Sequence, residues 1–135
     1  MSTKIVINLP VKDLAKSTAF YQAIGFSFDP SCSDENAATV KWTEEILVML
    51  WKNDSYKTFI GGREIGDASK TNSVILSLGM DSKEAVRKFA ETAKANGGDF
   101  YKMQSPDSTE DMMFGFEVMD LDGHTWEPTW INSSK

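Results

Sequence analysis

The sequence predicts an α+β fold made of two copies of one βαβββ module. Three observations predict it: a repeated order of elements, two amphipathic helices, and a length of 135 residues that suits one domain. The two copies align with a constant offset of 69 residues, which superimposes the apolar faces of the helices. These faces are Ser17, Phe20, Tyr21 and Ile24 in the first copy and Val86, Phe89, Ala90 and Ala93 in the second. Because four strands expose more surface than one helix can cover, we expect the two modules to pair, with a ligand cavity between their sheets.

The first module is predicted to span about residues 1–53. It begins with a strand at 4–11 that has the β-branched composition of a buried strand, and Pro10 marks its end or a sheet edge. Asp13 is expected to cap a helix that ends at Gly25. Three strand candidates follow, and the last is apolar enough to be buried on both faces: about 26–32, 37–43 and 46–52.

A linker or lid of irregular sequence is predicted at about 54–71. Stretches of this length in a compact domain are more often functional than idle. The alternative is a simple connection that Tyr56 and Phe59 pin to the core. The second module, about 72–135, repeats the first, with a strand at 72–80 and a helix capped by Ser82. Its remaining strand candidates are at about 98–103, 112–120 and 125–131.

Composition excludes several classes of function. The net charge of -6 and the absence of a basic stripe disfavour a nucleic-acid partner. No apolar run reaches the roughly 18 residues that a membrane span requires, and no export signal is evident, so a cytoplasmic protein is expected. Cys32 is the only cysteine, which excludes an intramolecular disulfide framework and a thiolate metal cluster. No phosphate loop or dinucleotide fingerprint occurs.

Two motifs carry a family resemblance. Asn8-Leu9-Pro10-Val11-Lys12-Asp13-Leu14 near the start and Asp120-Leu121-Asp122-Gly123-His124-Thr125-Trp126-Glu127 near the end resemble the vicinal oxygen chelate superfamily of glyoxalase I, extradiol dioxygenases and bleomycin resistance proteins. Its branch of glyoxalase-like, "predicted lactoylglutathione lyase" proteins is the most similar. The resemblance covers essentially the whole chain. It implies two βαβββ modules forming an open curved barrel around a central pocket, commonly in a homodimer.

In metal-dependent members of that superfamily, four strand positions supply the ligands. Carried over to this chain, the positions fall on Val6, Met49, Ile75 and Glu127. Only Glu127 is a ligand type, whereas divalent metal sites need about three or four oxygen or nitrogen donors. We therefore expect no catalytic metal and no other cofactor, although a divalent metal is the cofactor that the resemblance would suggest. His124, the only histidine, is interpreted as a polar turn residue.

Glu127 is the candidate catalytic residue, because it lies inside an apolar strand. If it faces a dry pocket, desolvation should raise its pKa above the usual value of about 4.3 and make it a general acid or base near neutrality. Alternatively, Asn8 or Thr125 hydrogen-bonds it and it serves structure or ligand orientation. The residues predicted to line a ligand pocket are mainly aromatic, Met and polar strand residues: Asn8, Met49, Trp51, Tyr56, Phe59, Met113 and Thr125.

Three functions follow from these observations. The first is binding of a small, partly apolar molecule in a pocket without a catalytic metal, as in bleomycin resistance proteins. The second is a metal-dependent lyase or isomerase of the lactoylglutathione lyase type, or an extradiol dioxygenase-like enzyme. The third is metal-free acid and base catalysis by Glu127.

Overall fold

The computed structural model describes residues 2–104 and 109–133. The chain folds as two compact units, Met1–Asp67 and Ala68–Lys135. Each unit contains one four-stranded mixed sheet. The predicted α+β fold of two βαβββ modules is therefore confirmed.

The first unit is built from β1 (Ile5–Val11), α1 (Leu14–Ala23), β2 (Ser27–Asp29), a 3₁₀ turn (Pro30–Cys32), β3 (Ala37–Lys41), β4 (Ile46–Lys52) and α2 (Asn53–Lys57). The strand order in its sheet is β1-β4-β3-β2. β1 runs parallel to β4, and the other neighbouring strands are antiparallel.

The second unit repeats this topology. It contains β5 (Ile75–Gly79), α3 (Lys83–Ala95), β6 (Asp99–Lys102), β7 (Met113–Met119) and β8 (Thr125–Ile131). The strand order is β5-β8-β7-β6, again with one parallel pair, β5 and β8, and two antiparallel pairs. The first and last strands of each module thus lie side by side.

Both long helices begin at the capping residues that the sequence predicts. The Asp13 carboxylate accepts a hydrogen bond from the backbone N–H of Lys16 at 3.0 Å, and the Ser82 hydroxyl accepts one from the N–H of Ala85 at 3.1 Å. Gly25 follows α1 with a φ of 119°, a conformation that favours glycine. The predicted apolar face of each helix is buried against its sheet.

β1 is not a buried strand throughout, contrary to the prediction. Ile5 is 55% and Val6 is 46% exposed, and β1 lies at the edge of its sheet. The position at the edge agrees with Pro10, which has no N–H to donate to a further strand. In β4, only Val48 and Leu50 are buried, so this strand has one covered face rather than two.

The structure also corrects several boundaries. The strand predicted at 26–32 ends at Asp29, because Pro30 begins a 3₁₀ turn whose N–H at Ser31 is capped by the Asp29 carboxylate at 3.0 Å. Cys32 is exposed in this turn. The segment at 54–71 is not wholly irregular, since α2 occupies its start. None of the described helices is long and apolar enough to span a membrane.

Candidate functional site

Three aromatic side chains, Trp51, Tyr56 and Phe59, come together in the first unit, on β4 and in the segment just after it. Val48 and Leu50 of β4 are fully buried, and alternation along the strand places Trp51 on the opposite face. The Trp51 indole N–H donates a hydrogen bond to Oδ1 of Asn8 at 2.8 Å. The ring of Phe59 packs on the Trp51 ring with a centroid distance of 4.8 Å and an angle of 61° between the planes. The bond to Asn8 therefore holds the indole in one orientation.

These residues line a cavity of about 350 Å³. Its walls are Asn8, Trp51, Tyr56, Phe59 and Ile60, of which α2 and the turn after it supply the last three. The volume is at the lower end of the about 300–1,000 Å³ that small-molecule sites occupy. A larger depression of about 430 Å³ runs along α1, but it is open and its walls include the charged residues Asp34, Glu35 and Lys52.

The structure brings together four of the seven residues predicted to line a pocket. Asn8, Trp51, Tyr56 and Phe59 line the same cavity. Met49 pairs with Asn8 across the β1 and β4 ladder but does not line the cavity. Met113 and Thr125 belong to the second unit, where they lie opposite Ile131 and Met119 respectively.

Glu127 lies in the centre of the second sheet and is held by hydroxyl groups. Its Oε1 accepts a hydrogen bond from the Ser77 hydroxyl at 2.9 Å, across the parallel pair of β5 and β8. The Thr129 hydroxyl donates to the Glu127 backbone oxygen at 3.1 Å and lies 3.5 Å from Oε1. These contacts fix the carboxylate as a hydrogen-bond acceptor.

Asn8 and Thr125, the two residues expected to hydrogen-bond Glu127, each form hydrogen bonds within their own unit. Asn8 accepts from Trp51, and its amide donates to the backbone oxygen of Val6 at 3.4 Å. The Thr125 hydroxyl donates to the backbone oxygen of Gly123 at 3.5 Å. Ser77, which lies directly opposite Glu127 in the register, is a partner that sequence reasoning did not identify.

A second carboxyl group, Glu117, lies beside Glu127. The β7 and β8 register pairs Gly115 with Thr129 and Val118 with Trp126, which places Glu117 opposite Glu127. Arg87 of α3 lies 4.8 Å over the ring of Phe114, so Phe114 faces the helix and Glu117, three residues on, faces away from it. Two carboxyl groups therefore occupy neighbouring positions on one face of the sheet.

Glu117 is the more buried member of this carboxyl pair. It is 7% exposed, and its Oε1 is buried without a hydrogen-bond partner. Burial, followed by the hydrogen bond and the negative charge of Glu127, raises the pKa of Glu117 to about 7. A neutral Glu117 can donate its proton to Glu127, and its unpartnered oxygen is then an uncharged carbonyl, which is cheaper to bury than a carboxylate.

Sequence reasoning missed Glu117. The available signal was a single carboxylate within the apolar strand Met113–Met119, the same kind of signal that singled out Glu127. Its significance depends on the register with β8, which the sequence does not contain. Only the structure therefore identifies Glu117 as a buried carboxyl group with a raised pKa.

The positions that would bind a metal in the superfamily do not form a donor set here. Val6 and Ile75 are apolar and exposed, and the Met49 side chain offers only a thioether. Within residues 2–104 and 109–133, no group of three or more His, Cys, Asp or Glu side chains is placed to hold a metal ion. His124 lies in the turn before β8, where its backbone N–H donates to the Asp120 carboxylate at 2.9 Å. The residues present do not fit a divalent metal.

Comparison with known proteins identifies the fold. Residues 5–41 match the family described as bleomycin resistance protein-like N-terminal. No curated protein matches the chain significantly. Among solved structures, the hypothetical protein SA1046 from S. aureus is 26% identical, with a TM-score of 0.74, covering 96% of this chain and 94% of that protein.

Two further structures share the fold at lower identity. A glyoxalase/bleomycin resistance protein/dioxygenase family enzyme from Burkholderia phytofirmans PsJN is 18% identical, with a TM-score of 0.74, over 97% of this chain and all of its own (100%). The fosfomycin resistance protein FosX from Listeria monocytogenes, solved with Mn(II) and sulfate, is 19% identical, with a TM-score of 0.66, over 99% and 94%. The family match thus lies in the first module, and the fold of these structures extends over nearly the whole chain.

Proposed function

We propose that the chain binds a small, partly apolar molecule without using a catalytic metal. The observation that carries this proposal is the cavity of about 350 Å³ walled by Trp51, Tyr56, Phe59, Ile60 and Asn8. Apolar and aromatic walls with one fixed polar group are typical of small-molecule sites. The hydrogen bond from Trp51 to Asn8 limits the rearrangement that binding would require.

Binding can be followed at the Trp51 indole N–H resonance during titration with a panel of neutral aromatic alcohols and amides. We expect saturable shifts at Trp51 and Tyr56, and Tyr56→Ala should weaken binding by about tenfold, because it removes an aromatic wall. Tyr101→Ala is the matched control, since Tyr101 is exposed on β6 in the second unit. Equal weakening by both variants, or no saturable shift with any compound, would contradict the proposal. Mass spectrometry of the natively purified protein would reveal a copurifying ligand.

A second candidate function is metal-free acid and base catalysis at Glu127. The specific observation that favours it is the neighbouring Glu117, whose raised pKa lets it hold a proton near neutral pH beside the Glu127 carboxyl group. Turnover would then depend on both carboxyl groups. Activity that survives both Glu127→Gln and Glu117→Gln would exclude this function.

The metal-dependent alternatives are less well supported. FosX from Listeria monocytogenes was solved with Mn(II), but the metal-ligand positions that the superfamily resemblance implies for this chain include Val6 and Ile75, which have no donor atom. A lyase or dioxygenase mechanism that requires a metal is therefore not part of the proposal.

A further inference from the structure

Three of the five residues that line the cavity are aromatic. The only N–H of the Trp51 side chain is already donated to Asn8. Phe59 and Trp51 pack edge to face at 61°, so the two rings form a corner, and Tyr56 adds a third ring to the same cavity. The face of an aromatic ring carries the negative side of its quadrupole, which attracts a positive charge.

The lining of the cavity has no charge of its own. Its five lining residues, Asn8, Trp51, Tyr56, Phe59 and Ile60, carry no formal charge. Arg63 borders this lining, and its Nε donates a hydrogen bond to the backbone oxygen of Ile60 at 2.8 Å. Because the chain as a whole has a net charge of -6, its overall field favours a neutral or cationic ligand over an anion.

Elsewhere the chain covers aromatic faces with its own cations. The Arg87 guanidinium lies 4.8 Å from the ring centroid of Phe114, and the Lys83 ammonium lies 5.2 Å from that of Trp130. Among the residues that the structure describes, Phe100, Phe114 and Trp130 have a cation over the ring, whereas Trp51, Tyr56 and Phe59 do not. The three cavity rings thus have no internal cation.

We propose that this cavity binds a small organic cation, of the class that carries a methylated ammonium group, between the faces of Trp51, Tyr56 and Phe59. The inference rests on the proposed function, because it specifies the ligand of the same cavity. Methyl groups satisfy the apolar walls, while the positive charge interacts with the ring quadrupoles and needs no hydrogen-bond acceptor. A primary ammonium is less suitable, because its three N–H donors would be left without acceptors on apolar walls.

Choline and its uncharged carbon isostere 3,3-dimethylbutan-1-ol provide the test. The two molecules have the same shape and the same hydroxyl group, so a difference in affinity reports the charge alone. We expect choline to bind at least tenfold more tightly in a titration monitored at the Trp51 indole N–H. Equal or tighter binding of the uncharged isostere would overturn the inference.

Variants separate the ring faces from simple apolar burial. Phe59→Leu and Tyr56→Leu keep an apolar side chain and remove a ring, so each should reduce the preference for choline severalfold while the affinity for the isostere changes less than twofold. Phe59 is 63% exposed, so its replacement should not impair folding. Phe28→Leu is the matched control, because Phe28 lines the other depression and should leave the preference unchanged. An unchanged preference in both cavity variants would contradict the role of the rings.

Failure of the inference can be distinguished from failure of the proposed function. If neutral aromatic compounds shift the Trp51 indole N–H resonance but choline binds no more tightly than its isostere, the cavity binds small molecules and the cation inference is wrong. If neither the neutral panel nor choline produces a saturable shift, both are wrong.

Discussion

At the scale of single residues, the carboxyl pair of Glu117 and Glu127 is the least ordinary feature of the second unit. Glu117 is nearly buried, and one of its oxygens has no partner. Two adjacent carboxylates repel each other, and the repulsion is larger where water is excluded. A single proton held by Glu117 removes this repulsion and leaves a hydrogen bond in its place.

Glu117 should make the stability of the protein depend on pH. Its folded-state pKa of about 7 lies above the ordinary value of 4.5. Its proton therefore stabilises the folded state fully below pH 4.5, and this contribution is lost as the pH rises to about 7. The loss should amount to at most about 3 to 4 kcal/mol, since one pKa unit corresponds to about 1.4 kcal/mol.

Urea denaturation of wild type and Glu117→Gln between pH 4.5 and 8 measures this effect. Glutamine is uncharged at every pH in this range, so the variant should lose less stability than wild type as the pH rises. The free energy of unfolding of the variant, relative to that of wild type, should therefore be higher at pH 8 than at pH 4.5. Glu91→Gln, on the exposed face of α3, controls for a change of surface charge. Parallel pH profiles for wild type and Glu117→Gln would show that folding does not raise the pKa of Glu117.

At the scale of elements, local sequence signals determine where each helix begins and ends. Capping residues and the 3.6-residue period are local properties of the chain, which is why α1 and α3 were predicted with their buried faces. Strand ends were predicted less well, because ladder pairing rather than propensity limits a strand. The strand predicted at 72–80 forms only as Ile75–Gly79, the residues that pair with β8.

The cap of α3 provides a test at this scale. Ser82→Ala removes the acceptor of the Ala85 N–H and should lower the free energy of unfolding by about 1 kcal/mol. Ser73→Ala is the control, because Ser73 is exposed before β5 and should change stability by less than about 0.5 kcal/mol. Urea denaturation at fixed pH measures both. Equal effects of the two substitutions would mean that the capping bond contributes nothing.

At the scale of the whole molecule, the two units share a topology but differ in the side chains that they present. On the face of the sheet away from its long helix, the first unit carries Asn8 and Trp51, and the second carries Ser77, Glu117 and Glu127. Val6 and Ile75 occupy matching positions in the two units, and both are apolar. The duplicated fold thus serves an aromatic cavity in one unit and a carboxyl pair in the other.

We expect isothermal calorimetry with Mn²⁺, Zn²⁺, Ni²⁺ and Fe²⁺ to show no tight stoichiometric binding. The physical reason is that Val6, Met49 and Ile75 supply no oxygen or nitrogen donor to join Glu127. Glu127→Gln should leave the calorimetric trace unchanged. Tight binding of one metal ion per chain that disappears in Glu127→Gln would instead establish a metal site and exclude the metal-free proposal.

The sequence alone predicted the doubled βαβββ pattern and the helix caps. These depend on residues close together in the chain, or on a repeat that can be read by aligning the chain with itself. The sequence also singled out Glu127 as a candidate catalytic residue, and Asn8, Trp51, Tyr56 and Phe59, which line one cavity. Residue type alone indicates that a side chain suits a pocket, but not which pocket it lines.

Tertiary structure decided the chemistry of both candidate sites. The partners of Glu127 are Ser77 from β5 and Glu117 from β7, and both contacts depend on the register of strands far apart in the sequence. The corner of Trp51 and Phe59 likewise depends on how α2 returns over β4. Burial and neighbouring charge set a pKa, and packing orients a ring. Both arise only when the chain folds and its strands pair. The sequence thus determined which residues are available for function, and strand pairing decided which of them act together.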